Sequence, residues 1–589
     1  MTDAFYLKLR CNVELAGDAQ LAERELRCFF QKVIPVSSDQ DVFQYVAVPR
    51  DRIMSHVRSR PPYGFIGRGL RCDLPRLIRG LNFSQEIWFV EQKGTSDSVP
   101  TAPWRYVKDT PNGRVCCLIP MLAAAEFLSA MGRGNPGTDD LVRIARHLCD
   151  GGSEHDKEII TAIEKRSTST PHVHGLHKYK AKFFPRLIRS LLVSVDGVTP
   201  STGNGNRTLL DPFLGSGTAM VEGALLAYDS IGIDIDGLSC AISSAKLNML
   251  TVSPSVLQEE VGNVRTAAMP LFRGARKPTR YSFPPWIERK FQRWGSPDEQ
   301  RQYEDEIGSW MSMINTARNN AVRQALQIVL SDAISRKFNI RMMGTGVGRF
   351  ALEIGKTSLS SIVEANLRSL IHTAHVVQTV RNAYGISIPS FRVLQDTATA
   401  MPLPAESVSV VLTSPPYLPA SSGRENYLIG KSISITALGL MSAKQIENAE
   451  KQSVGSMKRN TCQPLRDLPT EVAKLYEWLK SDDLRSIKAD PTVAYYRDLK
   501  NALKETYRVL LPGGVAIYVI GKESVFYRFS TREVLYRVRC DEIFKELAER
   551  AGFGIEDSLD VQLDKKNSNA RPRSLDSYFE SVFVLRKPN

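Results

Sequence analysis

The chain has 589 residues, of which 42% are hydrophobic and 24% charged, and its formal net charge is +14. This composition predicts a soluble globular protein, and the length favours more than one domain. No apolar run reaches membrane-spanning length, the first residues lack the pattern of a signal peptide, and the basic balance suits a polyanionic partner.

The cysteines and histidines give little indication of a metal site. The nine cysteines are scattered and include no Cys-x-x-Cys pair. This spacing argues against structural zinc and predicts a reducing, cytoplasmic location. His172, His174 and His177 lie close together in the chain, but no cysteine or carboxylate nearby in the sequence completes a ligand set. We therefore predict no metal.

Residues 1–150 read as a small α+β accessory domain. Alternating or apolar runs predict strands over residues 5–10, 43–48 and 86–90, and helical periodicity covers residues 18–30 and 74–81. The pattern contains no functional fingerprint of its own.

Residues 156–250 contain a strand, a glycine-rich turn and a helix. The segment reads Thr208-Leu-Leu-Asp-Pro-Phe-Leu-Gly-Ser-Gly-Thr218. Its glycines allow a tight turn and close approach of a ligand to the backbone, and the start of the following helix attracts a carboxylate. A second strand ends at Asp234, which is placed to accept the hydroxyls of a ribose, whereas we interpret Asp236 as a helix N-cap. A plain nucleotide site would look similar.

Residues 251–390 form a long interval where a simple sheet needs only a short crossover, so they read as a mainly helical insertion. Helical runs cover residues 300–327 and 358–384. Arg and Lys are mixed with Trp, Tyr and Phe over residues 273–281 and 286–294. This mixture is typical of phosphate contacts with base stacking, which makes the insertion a candidate for target recognition. A solvated helix face with buried aromatic side chains is the alternative.

Residues 391–589 include the most informative motif. A strand over residues 391–395 ends in Asp396, where an acceptor can meet an adenine amine, and an apolar strand over 408–412 runs into Thr413-Ser-Pro-Pro-Tyr417. The prolines fix φ and remove backbone donors, Ser414 adds a hydroxyl acceptor, and Tyr417 offers a flat face. These groups can hold a planar amine and direct its lone pair at an electrophilic methyl. Alternatively, the prolines only end the strand.

The remainder of this region completes a sheet. Residues 418–490 read as a second insertion, residues 514–520 as a further strand, and residues 555–561 and 578–585 as a terminal antiparallel pair. The basic loop over residues 564–573 suits either a phosphate backbone or a solvated turn.

Five segments, in this order, resemble the S-adenosylmethionine-dependent amino methyltransferases of DNA, specifically the Ser-Pro-Pro-Tyr type associated with N4-cytosine methylation. They are His174-Gly-Leu-His-Lys-Tyr-Lys-Ala-Lys-Phe-Phe-Pro185, Asp211-Pro-Phe-Leu-Gly-Ser-Gly-Thr218, Gly232-Ile-Asp-Ile-Asp236, Ser414-Pro-Pro-Tyr-Leu418 and Arg508-Val-Leu-Leu-Pro-Gly-Gly514. The resemblance implies an α/β fold with a Rossmann-like class I methyltransferase sheet of seven strands, the last antiparallel. Residues 156–250 would be the cofactor-binding half and residues 391–589 the catalytic half.

The resemblance also implies roles for single residues. S-adenosyl-L-methionine is the expected cofactor, and double-stranded DNA is the expected partner. The target base would be held by Ser414, Pro415, Pro416 and Tyr417. The cofactor would be held by His177, Tyr179, Lys182, Phe184, Pro185, Asp211, Pro212, Phe213, Gly215, Ser216, Gly217, Thr218, Asp234, Ile235, Asp396 and Thr397.

Three alternatives stay open at the level of sequence. Ser414 favours cytosine N4, because relatives with Asp at this position tend to act on adenine N6. The N-terminal region resembles the ferredoxin-like module of THUMP-type tRNA guanine-N2 methyltransferases, although those enzymes usually carry Asp or Asn before Pro-Pro-Tyr. The third alternative is a non-catalytic nucleic-acid-binding protein on a methyltransferase scaffold. For a cytosine-N4 methyltransferase of DNA, a role in restriction-modification or defence is expected.

Overall fold

The computed structural model describes residues 4–589 apart from 12, 14–15, 47, 49, 54–56, 92–101, 112, 132–133, 151–171, 180–182, 203–204, 273–279, 295, 343–349, 419–426, 459–464, 529, 532 and 564–577. Lys182, the basic loop over residues 564–573 and most of the basic run over residues 273–281 therefore lie outside the described residues. Within the described part of the chain, no helix combines the length and apolarity needed to cross a membrane.

The first part of the chain builds an antiparallel sheet covered by helices. Its strands are β1 (Ala4–Leu9), β2 (Phe30–Val36), β3 (Gly64–Leu70), β4 (Ser84–Glu91), β5 (Arg105–Thr110) and β6 (Gly113–Leu118). Its helices are α1 (Ala16–Phe29), α2 (Asp39–Phe43), α3 (Arg50–Ile53), α4 (Leu74–Gly80), α5 (Met121–Ala130) and α6 (Thr138–Asp150). The strand order is β2-β3-β1-β4-β6-β5. With α1 between β1 and β2 and α4 between β3 and β4, the first four strands have the split β-α-β order of ferredoxin-like modules.

One strand predicted in this region is wrong. The pattern over residues 43–48 predicts a strand, but Phe43 is the last residue of α2. Ser38 and Asp41 form a capping box that starts this helix, and the Asp41 carboxylate accepts the Ser38 backbone N–H at 2.8 Å. A capping box satisfies backbone donors at the start of a helix, so it outweighs a short alternating run.

The second sheet has seven strands and lies at the centre of the fold. They are β7 (Thr208–Asp211), β8 (Asp229–Asp234), β11 (Phe391–Gln395), β12 (Val408–Thr413), β13 (Leu510–Gly521), β16 (Gly554–Leu563) and β17 (Tyr578–Arg586). Their order is β11-β8-β7-β12-β13-β17-β16. The first five are parallel, and the last strand in the chain, β17, is antiparallel to both neighbours. The predicted strand number and antiparallel last strand are therefore present.

Helices cover both faces of this sheet. They include α7 (Pro185–Val195), α8 (Thr218–Leu225), α9 (Gly237–Met249), α15 (Tyr427–Ala437), α16 (Ala443–Gln452), α17 (Thr470–Ser481), α18 (Ala489–Val509) and α19 (Cys540–Arg550). All six residues of β12 are buried. Val410 and Leu412 join the hydrophobic cluster on one face, and Val411 joins the cluster on the other. Burial on both faces explains why this strand is an almost continuous apolar run.

The insertion between β8 and β11 is mainly helical, with one hairpin. It contains α10 (Pro254–Phe272), α11 (Pro285–Trp294), α12 (Pro297–Ile314), α13 (Asn320–Lys337), β9 (Phe338–Met342), β10 (Phe350–Ile354) and α14 (Leu359–Tyr384). The helical run predicted over residues 300–327 is two helices, because the Asn319 side chain accepts the Val322 N–H and begins a new one at α13. Trp286 and Phe291, predicted as possible stacking groups, are buried in the core. The hairpin β14 (Glu523–Tyr527) and β15 (Val534–Arg539) follows β13.

Two buried aromatic side chains form hydrogen bonds between the N-terminal part (residues 4–150) and the insertion (residues 251–390). The Trp104 indole donates to the Ala383 carbonyl at 2.8 Å, and the Tyr384 hydroxyl donates to the Ile119 carbonyl at 2.8 Å. The two rings stack with their centroids 6.1 Å apart. These contacts tie the segment around β6 to the end of α14.

Removing the Tyr384 hydroxyl tests this attachment. We expect Tyr384→Phe to lower the free energy of unfolding by about 1–2 kcal/mol, because the buried Ile119 carbonyl loses its donor. Urea unfolding measures the change, with Tyr45→Phe, at a half-exposed ring, as the matched control. Equal midpoints for the two variants would contradict the assignment.

Candidate active site

The glycine-rich turn joins the end of β7 to the start of α8. Gly215 and Gly217 have φ angles of 50° and 73°, in the left-handed region that favours glycine. A Cβ on Gly217 would lie 2.6 Å from the Ser243 hydroxyl and 3.1 Å from the Ser243 Cα, because α9 packs closely on the turn. The Gly215 N–H donates to Asp234 Oδ2 at 2.8 Å. The turn is therefore held between the ends of two neighbouring strands.

Asp211 connects the turn to the proline-rich motif. Its Oδ1 accepts the Thr413 hydroxyl at 2.6 Å and the Phe213 N–H at 3.1 Å. Strands β7 and β12 pair directly, with Leu209 opposite Val410, so the two segments meet although Asp211 and Thr413 are 202 residues apart in the chain. Burial raises the pKa of the Asp211 carboxyl to about 7, against the lowering effect of the Thr413 hydrogen bond.

Asp234 and Asp396 lie side by side at the ends of β8 and β11. The Asp396 N–H donates to the Asp234 carbonyl at 3.1 Å, and Asp396 Oδ1 accepts the Thr397 N–H at 2.7 Å. Ile235, which follows Asp234, is partly buried. Burial, and next the charge of Asp236, raise the pKa of Asp234 to about 6. Two carboxylates and the turn thus share one edge of the sheet, where open α/β sheets bind ligands.

Asp236 is an N-cap and also part of a buried polar network. Its Oδ1 accepts the Leu238 N–H at 2.9 Å at the start of α9, and its Oδ2 accepts the Ser239 hydroxyl at 2.8 Å. Lys431, on α15, donates to Asp236 Oδ2 at 2.7 Å and to the Tyr179 hydroxyl at 2.9 Å. Burial, the largest single effect, would raise the pKa of Asp236. The charge of Lys431 and the hydrogen bonds that the carboxylate accepts together outweigh burial, so the pKa is lowered.

Sequence reasoning missed Lys431. It lies in the second insertion, 195 residues after Asp236, and belongs to no motif. Its ammonium group also lies 4.2 Å from the centre of the Tyr179 ring. Tyr179 in turn lies next to the glycine turn, since a Cβ on Gly215 would be 3.6 Å from the Tyr179 hydroxyl. Lys431 therefore holds Tyr179 and Asp236 in place beside the turn.

The histidine-rich segment divides between two environments. Tyr179 reaches the glycine turn, whereas His177 Nε2 lies 3.0 Å from the Ser331 hydroxyl on α13. Burial lowers the pKa of His177 to about 4, so its ring is neutral near pH 7. Phe184 is the N-cap residue of α7 and is partly exposed, and Pro185 is the first residue of that helix. Of this segment, Tyr179 is the described side chain that the structure brings to the turn.

His172, His174 and Glu222 form a buried trio whose possible ligand atoms lie within 4.8 Å of one another. His174 Nε2 lies 2.6 Å from Glu222 Oε1, and Arg189 Nη1 donates to Glu222 Oε2 at 2.5 Å. The guanidinium already neutralises the carboxylate, and it would repel a metal ion placed beside it. We interpret the trio as part of an ion-pair network that packs α7 against α8. The absence of a metal stays a prediction.

The proline-rich motif directly follows β12 at the same edge. Pro415 is buried, and Ser414, Pro416 and Tyr417 are partly buried. The Tyr495 hydroxyl, on α18, donates to the Pro416 carbonyl at 2.9 Å. The Tyr417 hydroxyl donates to Glu580 Oε1 on β17. Neither Tyr495 nor Glu580 carries a sequence signal, because each lies in an ordinary helix or strand pattern.

The other predicted residues complete the turn itself. The Ser216 and Thr218 hydroxyls lie 3.3 Å apart, and the Ser216 carbonyl accepts from buried Lys246 at 2.8 Å. Pro212 is buried and Phe213 partly buried. The site therefore combines backbone donors, carboxylates and a hydroxyl-bearing proline-rich rim. Such a set suits a ligand with amine and hydroxyl groups on one side and a planar amine on the other.

No family model matches the chain, but two relatives named as type II methyltransferases agree with the methyltransferase resemblance. The chain is 35% identical to type II methyltransferase M.MjaII of Methanocaldococcus jannaschii over 96 residues, which span 16% of this chain and 17% of that protein. It is 22% identical to type II methyltransferase M.MvaI of Kocuria varians over 413 residues, 64% of this chain and 84% of that protein. A solved SAM-dependent methyltransferase from Methanosarcina mazei aligns at 10% identity and a TM-score of 0.23, covering 65% of this chain and 93% of that one.

The buried Asp211 carboxyl predicts a dependence of stability on pH. Its pKa is raised in the folded state, so between about pH 4 and 7 the folded chain keeps a proton that the unfolded chain releases, and stability falls as pH rises. Asn keeps the acceptor for Thr413 and does not titrate. We expect Asp211→Asn to gain stability relative to the unmodified chain as pH rises through this window, measured by urea unfolding.

The control is Asp298→Asn, at a carboxylate that is 93% exposed. Its difference from the unmodified chain should stay constant over the same window. A constant difference for Asp211→Asn as well would show that this carboxyl is ionised in the folded protein throughout.

Proposed function

We propose that this chain is an S-adenosylmethionine-dependent methyltransferase that modifies the N4 amine of cytosine in DNA. The observation that carries the proposal is the hydrogen bond between Thr413 and Asp211, which sets the Ser414–Tyr417 rim beside the glycine turn. The type II methyltransferase names of the two matched relatives support the reaction class. The net charge of +14 suits a nucleic acid as partner.

The residues at the sheet edge fit the cofactor. The glycine turn and the start of α8 suit its carboxylate, Asp211 suits its amine, Asp234 suits ribose hydroxyls, and Asp396 lies where an adenine amine would be met. Tyr179, fixed by Lys431, borders the turn. S-adenosylmethionine supplies an electrophilic methyl group when it is bound.

The rim acts on the target base. A base must leave the duplex to reach the site, at a cost of roughly a few kcal/mol. Tyr417 stacks on the extruded base, and the Ser414 hydroxyl and the Pro415 carbonyl accept hydrogen bonds from the two N–H groups of its amine. The lone pair would then leave conjugation with the ring and attack the methyl group in line. The sulfur–methyl bond would break as the nitrogen–carbon bond forms, and one amine proton would pass to solvent. Alignment and preorganised acceptors supply most of the acceleration.

Two other target amines are alternatives to cytosine N4, and the experiment below distinguishes all three. Adenine N6 is the first, because the link between Ser414 and cytosine is a tendency. Guanine N2 of tRNA is the second, and the split β-α-β order of strands β1 to β4 favours it. Against tRNA, the chain carries Ser before Pro-Pro-Tyr, and its turn reads Gly-Ser-Gly-Thr, whereas those enzymes usually carry Gly-Thr-Gly-Gly.

Purified protein with methyl-labelled cofactor tests the proposal. We expect label in duplex DNA, and digestion to nucleosides should yield N4-methylcytosine. N6-methyladenine would change the base but keep the reaction class. Label in tRNA alone would overturn the DNA substrate, and no transfer to either would overturn the proposed activity.

Variants of the rim separate transfer from cofactor binding. We expect Ser414→Ala and Tyr417→Ala to lower turnover by about 100-fold, since each removes a preorganised contact to the base. Cofactor affinity, measured by equilibrium dialysis, should stay within about twofold because neither side chain lies at the turn. Unchanged turnover in both variants would place the target pocket elsewhere.

A variant of Lys431 tests the cofactor side. We expect Lys431→Met to weaken S-adenosylmethionine binding by about 10-fold, because Asp236 and Tyr179 lose the ammonium group that holds them beside the turn. Lys444→Met, at an exposed lysine of α16, is the matched control. Equal affinity in both variants would contradict a role for Lys431 in the site.

A further inference from the structure

We propose that Glu580 is a positioning residue for the target base, acting through Tyr417. The inference rests on the proposed function. Tyr417 donates its hydroxyl hydrogen bond to Glu580 Oε1, and the two residues are 163 positions apart in the chain. Glu580 lies on β17, opposite Gly521 of β13 and Val561 of β16. A side chain of β17, the last strand in the chain, thus reaches the rim that follows β12.

Glutamate is an unfavourable residue at this position of a strand. Glu is depleted from strands, and burying a carboxylate is unfavourable unless a donor compensates. Burial raises the pKa of Glu580, and the hydrogen bond from Tyr417 acts against this. Glu580 is partly buried, and the hydrogen bond from Tyr417 offsets part of the cost of taking its carboxylate out of water.

The geometry of the rim explains what the contact does. A tyrosine side chain rotates about two torsions, and fixing its hydroxyl oxygen restrains the first. Because a phenol O–H prefers to lie in the plane of its ring, an acceptor held at one side of the hydroxyl also restrains rotation of the ring about the second. At the other side of the motif, Tyr495 holds the Pro416 carbonyl at 2.9 Å. The two hydrogen bonds come from different elements, α18 and β17. Together they fix the backbone and the ring that face the base.

A fixed ring matters because methyl transfer needs alignment. A stacked base follows the plane of the ring under it, so a ring that turns by a few degrees moves the amine away from the line of attack. Glu580 thus positions the target base, through Tyr417, and does not contribute to cofactor binding. Its loss should appear in the kinetics for DNA and leave cofactor affinity unchanged.

The test compares Tyr417→Phe, Glu580→Leu and Glu580→Gln in the full chain. We expect the first two to lower kcat/KM for DNA by about 10-fold, the usual effect of losing a hydrogen bond to a charged group. Glu580→Gln should recover most of the activity, because its amide oxygen accepts the same hydrogen bond. The double variant Tyr417→Phe/Glu580→Leu should be no worse than either single variant.

Controls separate positioning from stability. Glu556→Leu makes the same change on the neighbouring strand, at a side chain that is 43% exposed, and should leave kcat/KM unchanged. Cofactor affinity and unfolding midpoints are measured for every variant. Wild-type kinetics for Glu580→Leu, additive losses in the double variant, or a parallel loss of cofactor binding would each overturn the inference. If the unmodified chain transfers no methyl group, the proposed function fails and the inference fails with it.

Discussion

The site depends on one hydrogen bond between two parallel strands. Thr413 ends β12, Asp211 ends β7, and the 2.6 Å contact between their side chains joins segments that are 202 residues apart in the chain. Because parallel strands end at the same edge of a sheet, the glycine turn after Asp211 and the proline-rich rim after Thr413 become neighbours. If β7 and β12 were not neighbours, the glycine turn and the proline-rich rim would lie apart and could not form one site.

The same edge collects negative charge that the fold must compensate. Asp211, Asp234 and Asp236 are at this edge. Burial raises the pKa of Asp211 and Asp234, and the charge of a neighbouring carboxylate adds to the effect in each case. Lys431 and backbone N–H groups stabilise this arrangement. A cationic or amine-bearing ligand would relieve the remaining repulsion, so the charges at this edge suit such a ligand.

The features that could be predicted from the sequence are those that neighbouring residues in the chain determine. The turn with Gly215 and Gly217, the N-cap at Asp236 and the strand before Ser414 each follow from neighbouring residues. The strand expected over residues 43–48 failed because a capping box overrode a weak alternation. Lys431 and Glu580 could not be predicted, since each reaches the site only through tertiary packing, 195 and 163 residues from its partner. The resemblance supplied roles for the histidine-rich segment, but packing directs His177 toward α13.

The most direct measurement is a crystal structure of the chain with S-adenosylmethionine bound. The expected result has the methionine part on the glycine turn after Asp211 and the methyl group pointing toward the rim from Ser414 to Tyr417. Cofactor bound far from that rim, or a crystal in which the turn and the rim lie apart, would contradict it.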